Sequence, residues 1–296
     1  MRVLMITGDS RFGPGNPRFE LQKSAVDDLV VMYWGRGHLF PKLPLGHFDV
    51  VTAQDPLWRG HLAMHVARRL HAKLNLQVHS DLSALPGLKR WWAGFNLRKA
   101  DSVRVVSERI KQQVERMSVR VPIVVLPVYV DISKFESIER KPHDSKNILW
   151  IGRLENEKNP LGAVAVFEKV LLSEPRARLT FLGEGGLRRE LEIYAKRLPI
   201  TLVGWQDPAP FLSEADVVLS TSWHESWGAS IIEALAAGVP VVAPDVGAAK
   251  EAGAKVLPRN ELASGVVAIL KEGTRGHLVL QIPDAEGWKK QWQKTL

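Results

Sequence analysis

Residues 222–243 read Ser-Trp-His-Glu-Ser-Trp-Gly-Ala-Ser-Ile-Ile-Glu-Ala-Leu-Ala-Ala-Gly-Val-Pro-Val-Val-Ala. This run constrains the fold more than any other, because it packs a loop, a helix and a buried strand into one unit. Gly228–Ala237 reads as a helix and Val239–Ala243 as a buried strand. Gly228, Ala229 and Ser230 leave the start of the helix sterically open. Such an N-terminus has free N–H groups and a positive dipole end, which suit a phosphate. Glu225 lies in the loop before it and Glu233 inside it. Two carboxylates bracketing an anion site suit a ligand with a diphosphate in the middle and hydroxyl-rich sugars at both ends.

The rest of the chain repeats that alternation of strand and helix. Strands are expected at 2–7, 29–34, 49–53, 74–78, 102–106 and 122–126, with helices between them. A second series begins at strand 147–151 and continues through strands 178–182, 200–203, 217–220 and 239–243. The polar segment 136–146 (ESIERKPHDSK) is the linker candidate. The expected architecture is α/β, with two Rossmann-like parallel-sheet domains facing across a cleft. Their expected bounds are 1–140 and 141–282, and residues 283–296 form a last helix.

Composition narrows the chemistry. The 296 residues include no cysteine, so disulfides, thiolate metal sites and cysteine nucleophiles are excluded. No run of about 18 apolar residues occurs, so no transmembrane helix is expected. Met1–Gly8 lacks a signal-peptide pattern, and a cytoplasmic location follows as an expectation. Residues 1–144 hold 22 Lys/Arg against 14 Asp/Glu, while the remainder is balanced. The first half therefore carries the whole excess of +8, which points to an anionic partner such as a lipid surface.

Several positions carry candidate chemistry beside a plainer reading. Gly152–Pro160 follows a strand and opens a helix. Arg153 and Lys158 there can hold and neutralise a diphosphate, or can pair with Glu155 and Glu157 in a solvated turn. Gly183, in Gly-Glu-Gly-Gly, permits close backbone approach, as any connector glycine does. Gly204 and Trp205 end the next strand, and Trp205 either stacks on a nucleobase or packs on its own domain. His79 follows strand 74–78, where it meets a sugar hydroxyl or is merely structural. In the helix 85–99, Leu88, Trp92, Phe95 and Lys99 fall near one face. That face is either interfacial or core-directed.

The second-half motifs resemble the retaining glycosyltransferases of family 4, which have the GT-B fold. The resemblance rests on the GRLENEKN segment 152–159, the GEGGLRREL segment 183–191 and the ESWGASIIEALAAGVPVVA run 225–243. The first half is similar more loosely, through Ala100–Glu108 and through Leu126–Asp131, where Val128-Tyr129 replaces an Asn-Gly. The resemblance implies a catalytic set of Glu225, His79, Arg153 and Lys158, and a last helix, residues 283–296, that packs back on the first domain with Trp288 and Trp292 as a buried stripe. It implies donor contacts from Arg153, Lys158, Gly183, Gly204, Trp205, Gly228, Ala229, Ser230 and Glu233. Arg153 and Lys158 would hold the diphosphate, Glu233 the ribose hydroxyls, and Glu225 and His79 the transferred sugar. The implied donor is a UDP- or GDP-sugar used without a metal, and no Asp-x-Asp triplet occurs. The implied acceptor is a glycan or a lipid-linked acceptor, met at the inner face of the cell membrane through the basic first half. Nucleic acid is not expected as a partner, because no recognised binding module appears. A sugar-nucleotide epimerase or phosphorylase on the same fold, and a non-catalytic sugar-nucleotide-binding or membrane-adaptor protein, are the competing readings.

Overall fold

The computed structural model describes residues 1–35, 43–141, 143 and 145–296. Pro142 and Asp144, which fall in the linker candidate, lie outside the described residues. The chain divides into two units, Met1–Tyr129 together with Pro283–Leu296, and Val130–Ile282.

The first unit is built on a six-stranded parallel sheet, β1 (Arg2–Thr7), β2 (Asp28–Tyr33), β3 (Val50–Ala53), β4 (Lys73–Val78), β5 (Ser102–Val105) and β6 (Ile123–Val125), in the order β2-β1-β3-β4-β5-β6. β1, β3 and β4 are buried almost throughout, because helices cover both faces of a parallel sheet. The helix Ala285–Thr295 belongs to this unit. Asp284 caps it by accepting the Gly287 N–H at 2.7 Å, and Trp288 and Trp292 are buried among Val3, Met5, Phe19 and Leu126.

The helix Gly87–Leu97 buries Ala93, Gly94, Asn96 and Leu97. Leu88 and Trp91 are exposed, while Trp92 sits edge-on to Trp58 with ring centres 4.2 Å apart. The expected face through Leu88, Trp92, Phe95 and Lys99 is therefore not the buried one. Asn96 holds the buried side in place, donating to Pro56 O at 2.8 Å and to Leu57 O at 3.1 Å. Leu88 and Trp91 are left on the outer side, next to Lys89 and Arg90.

The second unit has the sheet β7 (Lys146–Ile151), β8 (Ala177–Leu182), β9 (Ile200–Gly204), β10 (Val217–Leu219), β11 (Val241–Ala243) and β12 (Lys255–Val256), in the order β12-β11-β10-β7-β8-β9. All its pairings are parallel. This is the doubly wound order, and the direction of winding reverses between β7 and β10. Loops leaving the C-terminal ends of those two strands diverge, which opens a crevice for a ligand. One core, on Phe167, Phe181, Leu191 and Val266, covers one face of the sheet. The other, on Phe135, Leu212, Ile231 and Leu235, covers the opposite face.

Candidate active site in the second unit

The loop after β7 and the loop after β10 are stitched together at the winding reversal. Trp223 N–H donates to Glu157 O at 2.8 Å, and Thr221 Oγ1 donates to Asn159 O at 2.7 Å. Thr221 Oγ1 also accepts the indole N–H of buried Trp150 at 3.1 Å. Asn159 turns the chain in the left-handed region (φ 52°) and caps the helix Pro160–Leu171 by accepting Gly162 N–H at 3.1 Å. These bonds satisfy the polar groups that the two strand ends would otherwise bury unpaired.

The stitching brings Lys158 and Glu225, 67 residues apart, into a direct ion pair. Their side chains are 19% and 10% exposed, so little solvent screens the pair. Ser222 Oγ donates to the same Glu225 oxygen at 3.0 Å. Arg153 is different. It reaches along the surface to Glu157 and is 63% exposed, so that pair is weak. Glu155 instead accepts Gly186 N–H at 2.9 Å. The plainer expectation, both cations held by Glu155 and Glu157, thus describes Arg153 but neither Lys158 nor Glu155.

The turns after β7, β8 and β9 interlock through backbone bonds. Gly152 N–H donates to Leu182 O at 3.0 Å, Gly183 N–H to Gly204 O at 2.8 Å, and Leu154 N–H to Glu184 O at 2.8 Å. A Cβ on Gly183 would lie 1.8 Å from Gly152 O, so only glycine fits there. Gly204 has φ +78°, and Trp205 beside it is 71% exposed.

The helix Ala229–Ala236 begins at Gly228 (φ 88°) with no side-chain cap. Ile231, Ile232, Ala234 and Leu235 anchor it in the core and orient its first turn. Glu233 lies on the opposite side, half-buried. Burial raises its pKa from 4.5 to about 7; Lys134 opposes the rise and Asp207 adds to it. Lys134 and Asp207 are themselves 3.5 Å apart.

Three contributors escaped the sequence reading. Arg259 donates to Thr221 O at 2.9 Å and Ser222 O at 2.7 Å, and its guanidinium lies 4.1 Å from the centre of the Trp223 ring. It thereby clamps the loop that carries Glu225. Gly247 backs the same loop, since a Cβ on it would lie 2.6 Å from Trp227 O and 3.0 Å from Glu225 Cβ. Lys134 faces Glu233 from the helix Ser133–Glu136. Only Gly247, a glycine shortly after a strand, left any mark in the sequence; the partners of Arg259 and Lys134 are distant along the chain.

The remaining expected site residue, His79, is in the first unit at the end of β4. Its Nε2 is 3.0 Å from Gln77 Oε1. Burial, then Arg104 and Arg18, lower its pKa from 6.5 to about 3, so the ring is neutral. Among the described residues no group of three or more His, Asp or Glu is placed to hold a metal ion. No helix of them is long and apolar enough to cross a membrane.

Two doubly wound six-stranded parallel sheets, with the candidate site at the winding reversal of the second, define the GT-B fold. Residues 145–272, nearly the whole second unit, match the family model "Glycosyl transferases group 1". The alpha-monoglucosyldiacylglycerol synthase of Streptococcus pneumoniae is 25% identical over 226 residues, 66% of this chain and 51% of that protein. A GDP-mannose-dependent alpha-(1-6)-phosphatidylinositol dimannoside mannosyltransferase of Mycobacterium tuberculosis is 31% identical over 131 residues, 40% of this chain and 34% of that one. The chain spans about half the length, or less, of these relatives. Among solved structures, Anabaena HepE in complex with UDP superposes with a TM-score of 0.74 at 15% identity, covering 100% of this chain and 99% of that one.

Proposed function

We propose that this chain is a retaining glycosyltransferase of family 4. It moves a sugar from a nucleotide-diphosphate sugar to a glycan or lipid-linked acceptor in cell-surface polysaccharide or glycolipid synthesis. The observation that carries this reading is the shielded Lys158–Glu225 pair beside the uncapped start of the helix Ala229–Ala236. A diphosphate reaching that start finds the N–H groups of Gly228, Ala229 and Ser230, and competes with Glu225 for Lys158. Arg153, exposed and held only by a surface pair, swings to it at small cost. Glu225 is released toward the transferred sugar, and Glu233 accepts the ribose hydroxyls. Gly183, Gly204 and Trp205 border the base, and His79 meets the sugar from the first unit.

In this reading the departing diphosphate is neutralised by Lys158, Arg153 and the helix start, and it takes the proton of the acceptor hydroxyl on the face it leaves. The new bond then forms on that same face, which retains configuration. The rate comes from electrostatic support of the leaving group. The first unit, with its excess of Lys and Arg, takes the acceptor. Exposed Leu88 and Trp91 beside Lys89 and Arg90 support peripheral contact with anionic lipid at the cytoplasmic face.

A thermal-shift series with UDP, GDP, ADP and their sugar conjugates tests the donor site. One nucleotide at about 100 times its Kd raises stability by about 2.7 kcal/mol. The shift should vanish in Lys158→Ala and Glu233→Ala. A folded sample that responds to none of these nucleotides removes the donor site and leaves the adaptor reading.

A further inference from the structure

Behind His79 the buried polar side chains of the first unit form one continuous line of hydrogen bonds, and its two ends dictate its polarity. At one end Asn75 Nδ2 donates to Thr295 O at 2.7 Å and to Ser102 Oγ at 2.9 Å. A backbone carbonyl only accepts, so the Asn75 amide nitrogen must face it, which turns Asn75 Oδ1 toward Thr52. Thr52 Oγ1 gives its single proton to that oxygen at 2.7 Å. It can then only accept from its other neighbour, Gln77 Nε2, at 2.9 Å. Gln77 Oε1 is therefore directed the other way, toward Arg104 Nη1 at 3.1 Å and His79 Nε2 at 3.0 Å.

The far end demands the same orientation independently. Arg104 has donors only, and is fixed by Leu126 O at 3.0 Å, Pro127 O at 2.8 Å and the face of Trp288. It requires an oxygen from Gln77. Thr52, Asn75, Gln77, Arg104 and Thr295 are each no more than 1% exposed, so none can turn to water instead. Since Gln77 Oε1 cannot donate, the His79 Nε2 must. The ring then carries its proton on Nε2 and leaves Nδ1 as a bare acceptor. His79 lines a cavity of about 20 Å³ that it shares with Arg18 and Arg104.

We propose that Gln77 is a positioning residue that holds His79 as the Nε2–H tautomer, so that Nδ1 accepts a hydrogen bond from a hydroxyl of the sugar. The inference rests on the transferase reading, in which His79 meets that sugar. It adds a specificity rule: the sugar must donate a hydroxyl at this point, and a deoxy or fluoro analogue there is discriminated against. The lowered pKa of His79 agrees, because a charged ring would have no lone pair to offer.

The test is long-range proton–nitrogen NMR on the whole chain labelled at histidine, with His79 assigned by its loss in His79→Ala. The expected spectrum at neutral pH has Nε2 protonated and Nδ1 bare, and added UDP-glucose or GDP-mannose shifts the Nδ1 signal. Gln77→Met should mix the tautomers and lower kcat/KM about tenfold, the worth of one lost hydrogen bond. Gln77→Glu, which keeps an acceptor toward His79 but loses the donor to Thr52, should keep Nε2 protonated and raise the pH at which Nδ1 also takes a proton. Failure of UDP, GDP, ADP and all of their sugar conjugates to bind overturns the transferase reading and this inference with it. Normal binding with His79 protonated on Nδ1, or with an unmoved Nδ1 signal, overturns the inference alone.

Discussion

Glu233 and Gly183 show how differently two single residues constrain the donor site. Glu233 has a pKa raised to about 7 by burial, so near neutral pH it is only partly ionised. Ribose hydroxyls donate to it best as the carboxylate. Nucleotide-sugar affinity should therefore be full above pH 7 and weaken toward pH 5, approaching about tenfold per pH unit. Glu233→Gln should flatten that profile in a calorimetric titration. The sign for folding is opposite. A carboxyl whose pKa is higher folded than unfolded stabilises the fold below about pH 4.5, and that contribution is lost as pH rises through 7. Gly183→Ala places a methyl 1.8 Å from Gly152 O, and the interlocked turns cannot give way separately. We expect a loss of about 2–4 kcal/mol in urea unfolding, with donor binding weakened in whatever remains folded.

Among the elements, the loop after β10 is the one whose position decides the site, and Arg259 holds it. Arg259→Ala removes bonds to two successive carbonyls and the stacking on Trp223. Glu225 then loses its fixed approach to Lys158, and donor affinity should fall about tenfold by calorimetry, while the fold survives. The elements themselves were largely legible. β1 and β7 carry continuous apolar runs, Val3–Ile6 and Ile148–Ile151, that helices must cover, and the run 228–243 sets the helix Ala229–Ala236 directly before β11. The short helices Ser133–Glu136, Ala209–Glu214 and Ala249–Ala252 were not, because one or two turns hold too few periodic positions. Within the site, the glycines and Glu225 were visible as local pattern. The Lys158–Glu225 pair, the Arg259 clamp and the line from Asn75 to His79 were not, since each depends on residues distant along the chain that only the sheet order brings together.

At the scale of the whole molecule, the first unit is assembled from two stretches of chain that enclose the second. The returning stretch contributes Trp288 and Trp292 to its core, and Trp288 Nε1 donates to Pro127 O at 2.9 Å. Trp292→Ala should cost about 3–5 kcal/mol and lower the melting transition of the first unit, read by calorimetry, while the transition of the second unit stays near its own temperature.

That arrangement fixes an order of events during synthesis. The second unit is a single uninterrupted segment, so it has everything it needs as soon as Ile282 has been made. The first unit, although translated earlier and holding all six of its strands, lacks its last two tryptophans, so part of its core stays uncovered until its younger neighbour is complete. A released fragment of residues 1–282 should resist protease in the second unit and be cut in the first. The domain that is born first is thus the one that matures last, and the late helix is its closing piece.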